Sequence, residues 1–368
     1  MSTRTENAPG SEARDGLMAP AAVSLVDAIS AATTSASVGM MGKRLPEVVT
    51  ELVRAELAPL EVARVVTDLI DAMTRRLIDL AIAEYGEPPV PWAWLALGSA
   101  ARREQGIGTD QDHALAYDQQ MRPLNELDGY FRLVAEYVTS GLDGAGIPRC
   151  NADVVAVNQA LRRPLEHWVE AFEAWMSDPR IESVRQTTIL FDHRRVAGSL
   201  DVERTLQRTI SSSSERPAFI GRLKEMARDA RPRRHFRLPR RIDLKHDGLM
   251  QIVTMARILA IEGDVPNVGT IERLRRAVEL GLFDESSGDR LCAAFRVMWR
   301  IRLNHQIAVA AGSEEPGELV DMRTSQFRAQ LGDALRSVRE AQDALLRGSR
   351  SAATIRRDTR FPSFQSAA

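Results

Sequence analysis

One segment of this 368-residue chain concentrates residues whose types and order could do chemistry: Leu97-Gly98-Ser99-Ala100-Ala101-Arg102-Arg103-Glu104-Gln105-Gly106-Ile107-Gly108-Thr109-Asp110-Gln111-Asp112-His113-Ala114-Leu115. A Gly-Ser turn that follows a strand exposes backbone N–H groups and a hydroxyl, which can cradle phosphate oxygens. Asp110 and Asp112 stand two residues apart on an extended segment, so their carboxylates project from one face. Two neighbouring carboxylates repel unless a cation lies between them, and hard oxygen donors suit Mg²⁺, or Mn²⁺ in its place. Bridged by substrate phosphates, such a pair forms half of a two-metal phosphoryl-transfer site. A D-x-D alone is commonly a solvated loop, and a Gly-Ser alone is a turn. The order sets this segment apart: strand, Gly-Ser, ten intervening residues, D-x-D, strand.

The elements that must position these residues follow from periodicity. Trp92–Leu97 reads as a buried strand feeding the turn, and His113–Tyr117 as a second strand. Residues 125–143 carry a helical apolar face, and the β-branched run Ala152–Val157 predicts a third strand. Upstream, Val48, Val49, Leu52 and Val53 mark one helix that Pro59 interrupts. Val62, Val65, Val66, Leu69, Met73, Leu77 and Leu80 mark the next, and residues 86–91 read as a rigid connection. Beyond Asn158 the pattern is helical nearly to the end, with Asp192 expected on a helix. The fold class is therefore α+β and mostly α, a small sheet flanked by helices and followed by an all-helical C-terminal domain. The expected bounds are a disordered or loosely helical tail (1–44), a helical segment (45–88), a catalytic domain (89–210), a linker (211–240), the helical domain (241–350) and a tail (351–368).

Composition sets the outer limits. Lys+Arg number 49 against 50 Asp+Glu, a net charge of −1, which argues against binding nucleic acid by bulk electrostatics. A local exception is Arg228–Lys245, eight basic residues against two acidic ones, which reads as a solvated connection or as a contact for triphosphate or an acidic partner. Two cysteines, Cys150 and Cys292, make neither a disulfide framework nor a cysteine zinc site, and both read as buried thiols. No apolar run reaches the ~20 residues that span a bilayer, and residues 1–16 lack a signal-peptide core. A soluble, cytoplasmic protein with no membrane contact is expected, its oligomeric state open.

The Gly-Ser and D-x-D pattern resembles the DNA polymerase β-type nucleotidyltransferase superfamily. The fuller string G-S-x-x-R-x-E-Q-x-x-x-T-D-Q-D is similar to the DUF294 nucleotidyltransferase family, related to the bacterial PII uridylyltransferases and glutamine synthetase adenylyltransferases. Trp92-Ala93-Trp94, Thr188-Ile189-Leu190-Phe191-Asp192-His193-Arg194, Arg241-Ile242-Asp243-Leu244-Lys245 and Arg302-Leu303-Asn304-His305-Gln306 extend the likeness over residues 45–350. Many relatives place CBS or cyclic-nucleotide-binding domains upstream. Only about 45 residues precede the first helical segment here, so such an input is expected to be absent or supplied by another protein.

The resemblance implies roles. Gly98 and Ser99 would hold nucleotide phosphates, and Asp110 and Asp112 would bind the Mg²⁺ or Mn²⁺ ions that activate the attacking group and neutralise pyrophosphate. Arg102 would counter phosphate charge, with Glu104 and Gln105 bracing the turn, and Lys245 would contact phosphate or another domain. Ala101 replaces a glycine often found in relatives, and His113 an asparagine whose place should face away from the carboxylates. A third carboxylate has two candidates, Asp153 and Asp192. The implied activity moves NMP from ATP or UTP to a hydroxyl, on a regulatory protein as in PII uridylylation. The alternatives are a catalytically weak nucleotide-binding signalling module and, from the R-x4-H match of Arg300 and His305, a HEPN-like RNase.

Overall fold

The computed structural model describes residues 20–358 apart from 121, 178–187, 213–216, 230–240, 267–268, 316 and 323–326, with side chains described as far as 345. Residues 1–19 of the expected N-terminal tail (1–44), residues 359–368 of its C-terminal counterpart (351–368) and most of the basic stretch lie outside the described residues. The chain divides into two compact units. The first holds the residues to Trp168 with His193–Val202 and Gln306–Glu314; the second holds Val169–Asp192, Glu203–His305 and the residues from Glu315.

The first unit begins with helices α1 (Pro20–Ala31), α2 (Ser35–Gly42), α3 (Leu45–Arg54) and α4 (Pro59–Tyr85). Residues 20–44 are thus more than a tail: Leu25, Ile29 and Val38 are buried. Pro59 occupies the first turn of α4, where its missing N–H costs nothing and its fixed φ suits a helix. Val62, Val66, Leu69, Met73 and Leu77, spaced by three and four residues, bury one face of this long helix.

The sheet has the order β3-β2-β1-β4. Strand β1 (Trp92–Leu97) is buried at every position and pairs antiparallel with both β2 (His113–Tyr117) and β4 (His193–Gly198). A one-turn helix, α5 (Gly98–Ala101), follows β1, and α6 (Leu124–Gly144) covers the sheet through Leu127, Phe131, Val134 and Val138. Phe131 stacks on Tyr117 at 4.9 Å between ring centroids.

Two strands differ from expectation. Ala152–Val157 is not a strand: only Val154 joins the sheet, its carbonyl accepting from the His113 N–H. Asp153 adopts φ 56 and the Asn158 N–H turns back to the Val155 carbonyl, which ends any ladder. The third strand is instead β3 (Arg162–Pro164), parallel to β2 at the sheet edge, where a proline is tolerated. Buried Arg162 has no strand-like pattern to betray it; Asp128 at 2.9 Å and the carbonyls of Ala156 and Val157, each at 2.7 Å, satisfy its guanidinium. Similarly, β4 occupies residues expected to be helical. Gly198 there has φ 89, and a Cβ would collide with the Trp92 carbonyl.

From α7 (Leu165–Ser177) the chain enters the second unit, which is helical: α8 (Val202–Ser211), α9 (Pro217–Asp229), α10 (Met250–Glu262), α11 (Thr270–Glu279), α12 (Glu285–Ala310) and α13 (Arg328–Asp358). Helix α9 occupies the expected linker, with Phe219, Ile220 and Leu223 buried. The C-terminal part also contains one two-stranded ribbon, β5 (Arg241–Asp243) with β6 (Leu319–Asp321), and α13 continues past the expected boundary at 350. No helix among the described residues is long and apolar enough to cross a membrane.

Candidate active site

The antiparallel pairing of β1 with β2 brings the two halves of the motif to one end of the sheet. Ala96 pairs with His113, and the Leu97 N–H donates to the Asp112 carbonyl at 2.9 Å. The Gly98-Ser99 turn therefore leaves β1 beside the Asp110–Asp112 segment that enters β2. Gly98 has φ 53, a left-handed conformation that favours glycine at the strand-to-helix corner.

The period-2 alternation expected for the acidic segment holds. Asp110 and Asp112 are half-buried, while Gln111 and His113 are buried on the opposite face. Gln111 is anchored at two levels. Its N–H donates to the Pro148 carbonyl at 2.9 Å, and its side-chain amide donates to the carbonyls of Ile147 at 2.7 Å and Thr139 at 3.1 Å. His113 accepts at Nδ1 from the Ala156 N–H (3.0 Å), so Nε2 carries the hydrogen and donates to Gln111 Oε1 (3.0 Å). Burial keeps this imidazole neutral, its pKa lowered to about 3. His113 thus faces away from the carboxylates and fixes their segment from behind.

Helix α4 holds the turn and the following loop. Asp71, 3% exposed, takes both Nη atoms of Arg194 at 2.7 and 3.1 Å, and the same guanidinium donates to the Ala100 carbonyl at 2.9 Å. Asp68 pairs with Arg103 at 3.0 Å, and the Thr67 hydroxyl accepts from the Gln105 N–H at 3.4 Å. Sequence reading passed over Thr67, Asp68 and Asp71; the available signal was polar residues interrupting an otherwise apolar helix face. Through Asp71 and Ala100, Arg194 ties β4 to the motif turn. A Cβ at Gly106 would meet the Gln306 amide, the movable end of that side chain.

The remaining expected site residues fall differently. Arg102 is buried and donates to Glu104 Oε2 at 2.8 Å, so its charge already has a carboxylate partner inside the turn. Asp153 is exposed in a turn rather than carried by a strand. Asp192 lies in the second unit and on no helix. It is 0% exposed, with Arg257 Nη2 at 2.5 Å and Arg273 Nη1 at 2.6 Å on its two oxygens. Those contacts make it the counter-ion of two buried arginines. Lys245, also in the second unit, opens a π-helical turn and sits close enough to Glu318 to favour that carboxylate's charged form. His305 is buried with Nε2 against the Gly317 carbonyl at 3.0 Å, whereas Arg300 is exposed. Five residues on an α-helix turn through about 140°, so the two present different faces, and the RNase reading loses its shared cleft.

A third donor does reach the acidic pair, and it is sulfur. Cys150 Sγ and one oxygen each of Asp110 and Asp112 all lie within 4.8 Å of one another, and all three residues are half-buried. The Gln111–Arg149 bridge explains the convergence. Bridged residues share a face, and here both reach toward α6, Gln111 to Thr139 and Arg149 to Ser140 (3.4 Å). Their successors, Asp112 and Cys150, point the other way. Burial, followed by the charge of Asp112, raises the thiol to about 11 against the opposing pull of the Ala152 and Val154 N–H groups. Asp112 also lines, with Gln111 and His113, a cleft that holds Gln105, whose Oε1 is buried with no hydrogen-bond partner among the described residues.

Residues 43–182 match the family model described as Putative nucleotidyltransferase DUF294, and residues 206–348 match the Putative nucleotidyltransferase substrate binding domain, DUF294_C. No curated protein matches the chain.

Proposed function

The chain belongs to the DUF294 family of nucleotidyltransferases, and from that premise we propose that it moves NMP from ATP or UTP to a hydroxyl on a regulatory protein. The observation that carries this reading is the meeting of the Gly98-Ser99 turn with the Asp110–Asp112 carboxylate face at one sheet end. Asp110 and Asp112 would hold the divalent cation, Mg²⁺ or Mn²⁺. Bound there, the cation would screen triphosphate charge and acidify the acceptor hydroxyl. The Gly98-Ser99 backbone and the Ser99 hydroxyl would bind phosphate oxygens. Arg194, fixed on Asp71 and Ala100, keeps that turn from shifting as charge develops. His113 and Gln111 hold both carboxylates on the open face, and the neutral imidazole adds no charge to compete with the cation.

Incubation of a lysate with the protein, Mg²⁺ and labelled ATP or UTP, followed by mass spectrometry of labelled proteins, tests the reading. Asp110→Asn should retain the fold and lose transfer by about a thousand-fold, since a metal supplies several kcal/mol of charge stabilisation. Unimpaired transfer in that variant would overturn the mechanism. Nucleotide binding by calorimetry without transfer would favour the nucleotide-binding signalling module instead.

A further inference from the structure

We propose that Gln105 is a positioning residue of the transfer site: through buried water it orients the Asp112 carboxylate from behind, rather than only bracing the motif turn. The inference deepens the transferase reading and rests on it for the role of Asp112 as a metal ligand. Its starting point is a cavity of about 30 Å³ inside the first unit. Trp94, Ala96, His113 and Val196 form its sheet wall, and residues of α4 and α6 face them. Gln105 and Asp112 both line it.

The polar walls decide what fills this space. Gln105 is 3% exposed, and its Oε1 is buried with no hydrogen-bond partner among the described residues. The neighbouring hydrogens are already committed. The Thr74 hydroxyl donates to the Ile70 carbonyl at 2.8 Å, His113 Nε2 donates to Gln111 Oε1 at 3.0 Å, and the Gln111 amide donates to the carbonyls of Thr139 and Ile147. Gln105 Oε1 and the Asp112 carboxylate therefore face the cavity as acceptors, and a species that serves both must donate two hydrogens. Water does so, and at ~10–15 Å³ for each molecule the cavity holds roughly two.

The link acts on one carboxylate of the pair. Asp112 borders the cavity and Asp110 does not. A carboxylate accepts on both oxygens, so Asp112 can take a hydrogen from behind and keep lone pairs for a cation on the open face. Hydrogen bonds behind a metal-binding group fix its orientation, and losing one costs about ten- to a hundred-fold in metal affinity or activity.

Gln105→Met in the full-length protein, close in shape but without the acceptor, tests this. Mn²⁺ binding, read by the electron paramagnetic resonance of the free ion, should weaken by at least about ten-fold. The thermal midpoint should hold, because an apolar side chain then occupies a buried place that held an unpaired oxygen. A residue that only braces the turn gives the reverse, a fallen midpoint with unchanged Mn²⁺ affinity in the folded protein, and that result overturns the proposal. Where circular dichroism finds Gln105→Met unfolded, Gln105→Leu takes its place with the same expectation. A wild-type crystal structure should show water within hydrogen-bond reach of Gln105 Oε1, and a dry cavity overturns the link. Transfer assays on the same preparations separate the two readings. Transfer by the wild type, with Mn²⁺ affinity unchanged in the variant, sinks the positioning role and leaves the transferase standing. Weakened Mn²⁺ binding in the variant, with no transfer by the wild type, does the opposite.

Discussion

At the scale of single residues, the acidic pair was legible because its chemistry is local. Two carboxylates two residues apart need only an extended backbone to share a face, and Asp110 and Asp112 do so. Partners that arrive from a distance were not legible. Nothing near Cys150 in the sequence announces that a bridge through Arg149 will aim its sulfur at Asp112, and nothing near Asp192 announces Arg257 and Arg273, which lie far along the chain. The structure turns Asp192 from a candidate for catalysis into a test of stability. Asp192→Ala leaves two buried guanidinium groups without their shared carboxylate, a loss of about 3–5 kcal/mol. Urea denaturation should show the unfolding free energy falling by that amount. A stable variant with transfer selectively lost would restore Asp192 to the chemistry.

At the scale of elements, long periodic helices and the fully buried central strands were read correctly, and the edge strands were not. Helices α4 and α6 present apolar residues at three- and four-residue spacing, and strands β1 and β2 are short, fully buried runs. The edge strands β3 and β4 carry arginines, a proline and a glycine; their place in the sheet depends on Asp128, Asp71 and the β1 backbone rather than on their own pattern. Helix α12 and strand β6 offer a prediction of the same scale. Burial raises the Glu318 carboxyl, but Arg302, bonded to both its oxygens at 2.5 and 2.9 Å, and the charge of Lys245 together hold it below the ordinary 4.5. A carboxylate depressed in the folded state adds stability that is complete above its unfolded pKa and disappears as pH falls through the folded value. Thermal melts should therefore lose stability below about pH 4.5. Glu318→Gln should flatten that acid limb, and an unchanged limb would show that the pair contributes nothing.

At the scale of the whole molecule, neither unit is a continuous stretch of chain. The first unit needs β4, which arrives only after the chain has entered the second. A fragment ending at Ser177 would keep β1–β3 and all the proposed metal ligands yet lack β4 and Arg194. It would convert β1, buried at all six positions, into an open apolar edge, and unpaired edges of that kind recruit other chains. Size-exclusion chromatography should find the fragment associated or insoluble; a monodisperse fragment with native near-ultraviolet dichroism would contradict this. The alternation at Asp110–His113 also constrains how such a chain can change over generations. Gaining or losing one residue there would turn Gln111 and His113 outward and drive the carboxylates into the packed side. Lineages that keep the chemistry can exchange side chains in this stretch, but they cannot shift its reading frame on the sheet by a single step.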